Sequence, residues 1–134
     1  MYFPDLTPYE YFERESPALN VGWLDPAHAF PQGDVPNGFI ERLRNLARSP
    51  AMQTRGIHVC EFCDFGAKPA PLDQAAVNAY FQRLKLADAV SSAEIRVVGR
   101  DGRVYAAPML VCHYVEVHGY RPPDEFVKAV MEMQ

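Results

Sequence analysis

Apolar residues recur at helical spacing in three segments of the chain, near residues 35–47, 74–87 and 122–134. In each segment they lie three or four positions apart, which is the repeat of a helix buried along one face. We therefore expect three helices whose apolar stripes pack on a shared core. The stripes consist of Phe39, Ile40, Leu43, Leu46 and Ala47, of Val77, Tyr80, Phe81 and Leu84, and of Phe126, Val127, Val130 and Met131.

The residues that precede these segments are typical of helix starts. Asp34 or Asn37 can cap the first helix and Asp73 the second, because a side-chain oxygen accepts a hydrogen bond from a free N–H of the first turn. In the last segment, Pro123 suits a first turn and Asp124 faces the positive end of the helix dipole. Local signals thus support all three helices.

Two runs of β-prone residues around an Asp-Gly turn predict a β-hairpin over residues 94–107. The hairpin face that carries Glu94 and Arg96 is expected to be exposed to solvent, since alternate residues of a strand point to opposite faces. Shorter strands are expected at residues 20–24 and 57–61. We place these strands in one small, mostly antiparallel sheet covered by three to four helices, which is an α+β fold.

Two other segments have less regular patterns. Residues 1–19 are rich in proline and aromatic residues and are interpreted as an ordered N-terminal arm over the core. Residues 108–120 fit either a helix or a strand. Pro108 favours the helix, because proline suits a first helical turn and cannot donate a hydrogen bond within a central strand.

Three side chains that bind soft metal ions lie within six residues, namely His58, Cys60 and Cys63. Two cysteines separated by two residues can turn both sulfurs toward one zinc ion, at about 2.3 Å. His58 would lie on the same face of an extended strand as Cys60. This spacing predicts a zinc site.

The number of protein ligands decides what such a site can do. A structural zinc ion has four protein ligands, whereas a catalytic one has three and a water molecule. Candidates for the fourth ligand are Cys112, His113, His118 and His28, and His113 is preferred. On a helix, His113 and His118 would lie about 140° apart, so we expect only one of them to face the ion. His28 is expected to tether its own loop. The predicted zinc ligands are His58, Cys60, Cys63 and His113.

Two other interpretations of these residues stay open. Cys60 and Cys63 can be core thiols or a regulatory dithiol without any metal. Alternatively, three ligands can hold a zinc ion with an open position, with water as the nucleophile and Glu61 as the nearest base, which would make the protein a hydrolase. The sequence contains no H-E-x-x-H or H-x-E…P-C-x-x-C arrangement, so we prefer a non-catalytic role.

Composition points to a small globular protein. The 134 residues are 49% hydrophobic and 22% charged, with a net charge of -4. The chain has no run of lysine and arginine with interleaved aromatic residues, which argues against nucleic acid as a partner. It also has no apolar run of about 18 residues and no export signal, which argues against a membrane span. We expect one domain over residues 1–134, located in the cytoplasm, where the three cysteines stay reduced.

Three blocks of sequence resemble a family of small bacterial proteins of unknown function. They are VGWLD at residues 21–25, QTRGIHVCEFC at residues 53–63, and the stretch at residues 94–126 from EIRV through DGRVYAAPML and HYVEVHGY to RPPDEF. Together they cover more than a third of the chain. The resemblance implies a single compact domain, and it implies no activity, substrate or ligand set.

These observations predict a small cytoplasmic, non-catalytic domain whose zinc site stabilises a surface that binds a protein. A small acidic protein of this kind could serve as an adaptor or immunity protein, an association by size and charge and not by chemistry. We expect a protein partner and neither nucleic acid nor a membrane.

Overall fold

The computed structural model describes residues 2–8, 18–48, 57–63 and 69–133 of the chain. Within these ranges the chain forms four helices and five short strands, which confirms the predicted α+β class. None of the helices in these ranges is both long and apolar enough to cross a bilayer. In chain order the elements are β1 (Leu19–Asn20), α1 (Phe39–Ala47), β2 (His58–Val59), α2 (Gln74–Leu86), β3 (Val90–Ser91), β4 (Glu94–Val98), β5 (Val104–Pro108), α3 (Val111–His118) and α4 (Asp124–Glu132).

The strands form two sheets rather than the single sheet that was expected. The predicted hairpin is confirmed as β4 and β5, which pair antiparallel with Glu94 opposite Pro108. β1 joins the other edge of β5 in parallel, and it ends before Gly22, whose φ of +79° turns the chain away from the ladder. β2, which carries His58, pairs with β3 in a separate antiparallel pair. The segment around His58 is therefore connected to the end of α2 and not to the hairpin.

The helices occur in the segments that the apolar pattern predicted, but α1 and α3 begin differently from the expectation. α2 begins as predicted, with the Asp73 carboxylate accepting a hydrogen bond from the Ala76 N–H at 3.1 Å. α1 begins at Phe39, and neither predicted residue caps it, because Gly38 with φ +87° occupies the N-cap position. Residues 111–118 are helical, as favoured, but Pro108 ends β5 and is not part of a first helical turn. α4 buries its predicted apolar stripe against the core.

Both faces of the β4–β5 hairpin carry buried residues, although Val98 at the end of β4 is 52% exposed. One face carries Ile95 and other residues of the main core. On the other face, Trp23 is 2% exposed and packs on Ala106, and its Nε1–H donates to the Ala106 carbonyl at 3.0 Å. Glu94 is only 1% exposed and forms an ion pair with Arg96 at 3.3 Å. The expectation of a solvent-exposed face is therefore wrong at Glu94, and Trp23, which is distant in sequence, packs on the same face.

The described part of the N-terminal segment, residues 2–8, runs beside β1. The N–H of Leu6 donates to the Asn20 carbonyl at 2.6 Å. The Asp5 carboxylate accepts hydrogen bonds from the Gly22 N–H at 3.1 Å and from the Tyr120 hydroxyl at 2.8 Å. Residues 9–17 of the predicted arm lie outside the described residues.

Candidate metal centre

Cys60 and Cys63 lie at the two ends of a tight turn that follows β2. The Cys60 N–H donates to the Ala89 carbonyl at 2.8 Å, which attaches the start of the turn to the segment after α2. Within the turn, the Phe62 ring packs edge-on against Tyr114 of α3, with ring centroids 5.8 Å apart. Cys60 is buried and Cys63 half-buried, and both are free thiols. Backbone pairing and aromatic packing thus hold the two sulfurs next to α3.

α3 contributes two histidines to the same place. The Nε2 atom of His113 lies 3.2 Å from the Cys63 sulfur, and that of His118 lies 3.3 Å from it. His118 Nε2 is also 3.4 Å from the Cys60 sulfur. The ligand atoms of these four residues all lie within 4.8 Å of one another, so this Cys2His2 group can hold a metal ion.

The distances within the group agree with a tetrahedral site. Typical Zn–S and Zn–N bond lengths at tetrahedral angles place a sulfur and a nitrogen about 3.6 Å apart. The three sulfur–nitrogen distances of 3.2–3.4 Å are close to this value. A metal ion at the centre would therefore need only small movements of the side chains.

The end of α3 has an unusual shape, which helps both histidines to reach the sulfurs. The N–H of Gly119 donates to the Tyr114 carbonyl five residues back, and the N–H of Tyr120 donates to the same carbonyl at 3.1 Å. A turn closed in this way is wider than an α-helical turn, so each residue rotates by less than 100° about the axis. The expectation that only one of His113 and His118 could face an ion is therefore wrong, because it assumed an ideal helix and ignored the reach of two imidazole side chains.

Burial controls the protonation of the group. It raises the pKa of the Cys60 thiol to about 11, against smaller opposing effects of backbone N–H groups of the turn. Burial also lowers the pKa of His113, with a further contribution from nearby His118, and burial lowers the pKa of His118. The imidazoles are therefore neutral near pH 7, which is the form that binds metals. A bound divalent cation would favour the thiolate at Cys60, so metal binding would release a proton.

The other candidates from the sequence lie elsewhere. His58 is not a member of the group: its ring packs edge-on against Trp23, with centroids 5.6 Å apart. Cys112 is a buried free thiol and is not a member either. His28 bonds to the Asp25 carboxylate at 2.7 Å, so the prediction that it tethers its own loop is confirmed.

Of the four predicted ligands, the structure brings together Cys60, Cys63 and His113, and it adds His118. Sequence reasoning rejected His118 on helix geometry. The signal that could have kept it is the glycine that follows directly, because a glycine after the last helical residue often marks a helix end that departs from α-helical bonding.

The fold and the Cys2His2 group define a small α+β domain with a candidate tetrahedral metal centre. Residues 1–131 match DUF7919, a domain of unknown function, and the chain belongs to this family. The expected membership in a family of unknown function is thereby confirmed. No curated protein and no solved structure matches the chain.

Proposed function

We propose that this protein is a non-catalytic domain in which a structural zinc ion joins the turn after β2 to α3. The observation that carries the proposal is the approach of four ligand atoms to within 4.8 Å of one another. Two thiolates and two imidazoles in tetrahedral arrangement suit zinc, whereas magnesium and calcium prefer oxygen ligands. The zinc ligands in this proposal are Cys60, Cys63, His113 and His118.

The ligand count supports a structural ion rather than a catalytic one. Four protein ligands complete a tetrahedron and leave no position for a reacting water molecule. The ion would also connect Cys63 to His113, which are 50 residues apart in the chain. Closing a loop of this length restricts the unfolded chain, so zinc binding should contribute directly to folding stability.

We further propose that the zinc-stabilised surface binds a protein partner in the cytoplasm, in the manner of an adaptor or immunity protein. An exposed apolar side chain beside the site supports a protein contact: Val117, which directly precedes the ligand His118 in α3, is 56% exposed. The net charge of -4 disfavours nucleic acid as the partner. The three cysteines, free in the structure, suit a reducing compartment.

The metal content of purified, untagged protein tests the zinc site. Native mass spectrometry should find about one zinc ion per chain, and a strong chelator should remove it and lower the unfolding temperature. Cys63→Ser should lose the zinc, while Cys112→Ser, a matched change at a thiol outside the group, should keep it. Metal-free protein whose unfolding temperature does not change in chelator would contradict the proposal.

Affinity capture from cell extract tests the partner. Wild-type protein and the His28→Ala control should retain the same protein, and Cys63→Ser should lose it. Equal capture by all three would show that the binding surface does not depend on the metal. Recovery of nucleic acid in place of a protein would contradict a protein partner.

A further inference from the structure

A cavity of about 240 Å³ lies beside the metal centre, and none of the four candidate ligands lines it. The two sites are carried by the same two parts of the chain. Glu61 follows Cys60 in the turn, and Tyr114 follows His113 in α3, and both Glu61 and Tyr114 line the cavity. The cavity is therefore a separate site, held in place by the same backbone.

The cavity has both apolar and polar walls, the polar ones including His58 and Glu61, and its inner end is buried. Trp23, Leu110 and Tyr114 form buried walls, with exposed fractions of 2%, 2% and 4%. Ile57, which is 64% exposed, lies at the rim together with the exposed Glu61. Pockets for drug-sized ligands are usually about 300–1,000 Å³. This cavity therefore suits a ligand with few non-hydrogen atoms.

The charged side chains of the lining indicate whether the ligand is a cation or an anion. Glu61 is the acidic residue of the lining and His58 is its histidine, and none of the described residues that line the cavity is lysine or arginine. In the described ranges, no cation forms an ion pair with the Glu61 carboxylate. An anionic ligand would meet this carboxylate with no lysine or arginine in the described lining to offset it.

Trp23 determines what the rest of the ligand can contact. Its indole N–H already donates to the Ala106 carbonyl, so the side chain offers the cavity only its apolar ring surface. An aromatic ring gains from contact with apolar groups, and its face also attracts cations. A ligand with both an apolar body and a positive charge would use Trp23 and Glu61 together.

We propose that this cavity binds a small organic cation, namely a primary amine with a short apolar or aromatic body. The ammonium group forms a charge-assisted hydrogen bond with the Glu61 carboxylate, and the apolar body lies against Trp23 and Leu110. None of the four candidate metal ligands lines the cavity, so the amine would contact none of them.

Trp23 is the only tryptophan in the sequence, so its fluorescence reports directly on the cavity. The experiment titrates the purified protein with benzylamine, which is a cation at pH 7, and with the matched neutral and anionic probes benzyl alcohol and benzoate. Benzylamine should give a saturable change in emission and bind about tenfold or more tightly than either matched probe. Equal binding of benzyl alcohol would reduce the site to an apolar pocket and overturn the proposal, as would equal binding of benzoate or the absence of a saturable change.

A variant pair tests the role of Glu61. Glu61→Gln keeps the shape of the side chain and removes its charge, and it should weaken benzylamine binding about tenfold. Glu41→Gln makes the same change on α1, away from the cavity, and should bind as the wild type does. Metal content and unfolding temperature of both variants are measured in parallel, so that damage to the neighbouring turn is recognised. Unchanged affinity in a correctly folded Glu61→Gln would overturn the proposal.

Discussion

His113 and His118 are five residues apart on α3, yet both bring Nε2 to within 3.3 Å of the same cysteine sulfur. The widened end of the helix and the length of two imidazole side chains make this possible. The candidate metal centre therefore depends on how α3 ends as well as on which residues it contains. A zinc ion bound there would in turn stabilise the last turn of the helix.

The choice of histidine ligands gives the first prediction. His118→Ala should lower zinc affinity by more than about 100-fold and lower the unfolding temperature, because loss of a direct ligand costs more than loss of a supporting contact. His58→Ala should keep about one zinc ion per chain, because His58 packs on Trp23 instead. Zinc titration with a competing chelator measures both affinities. The reverse result would make His58 the ligand, as the sequence pattern first indicated.

Local signals in the sequence were sufficient for the elements whose contacts are also local. The turn of the β4–β5 hairpin and the Asp73 cap of α2 involve neighbours in the chain, and both were predicted. The burial of Glu94 was not, because Trp23, more than 70 residues away, helps to cover its face of the sheet. The pairing of β2 with β3 was also missed, since two-residue strands carry no pattern of alternation.

The candidate metal centre likewise has one part that local sequence predicts and one part that depends on tertiary packing. The spacing of Cys60 and Cys63 is a local feature, and the sequence alone identified it. Joining this pair to α3 depends on tertiary packing, in which Phe62 contacts both Tyr114 and His118. Periodicity could suggest His113 but could not show that the helix widens at its end. The sequence therefore predicted three members of the group and missed the fourth.

Gly22 provides a test of backbone conformation and close packing together. Its φ is +79°, and a Cβ atom there would lie 2.7 Å from Cγ2 of Val111, at the start of α3. Gly22→Ala should lower the free energy of unfolding by about 2–4 kcal/mol, since a left-handed residue costs about 1–2 kcal/mol and the contact adds to this. Chemical denaturation measures the change.

Gly38→Ala is the matched control for this prediction. Gly38 has φ +87°, but no atom lies within 4 Å of a Cβ atom built there. It should therefore show only the backbone cost of about 1–2 kcal/mol. Equal losses in the two variants would show that the segment around Val111 relaxes without cost.

Asp5 should make stability depend on pH. Burial raises its pKa above the ordinary value of 3.8, despite the hydrogen bonds from Gly22 and Tyr120 that favour the charged form. Since the folded protein binds this proton more tightly than the unfolded chain does, the stabilising contribution is complete below pH 3.8 and is lost as pH rises through the folded pKa. Asp5→Asn cannot ionise, so its stability relative to the wild type should increase with pH over this window and then level off.

Paired denaturation curves of wild type and Asp5→Asn measure this difference. Both proteins have the same candidate metal ligands, so loss of zinc in acid affects both and cancels in the comparison. Asp5→Leu removes both hydrogen bonds and should cost about 2 kcal/mol or more over the whole range. A difference between wild type and Asp5→Asn that does not vary with pH would contradict the raised pKa.

A substitution at Asp88, near the end of α2, should raise the stability of the protein. Asp88 follows the C-cap residue Ala87, and its own φ is +53°. Beyond it, the Ala89 N–H donates to the Leu84 carbonyl at 2.9 Å and closes the end of the helix. Glycine adopts this conformation without steric cost, so Asp88→Gly should raise the free energy of unfolding by about 0.5–1 kcal/mol, and Asp88→Ala should lower it by about 1 kcal/mol.

The Arg44–Asp88 ion pair at 3.7 Å is exposed and contributes less than about 1 kcal/mol. Asp88→Asn, which removes the charge and tolerates the same backbone, should therefore remain close to the wild type in urea denaturation. If Asn costs as much as Ala, the ion pair rather than the backbone sets the stability at this position.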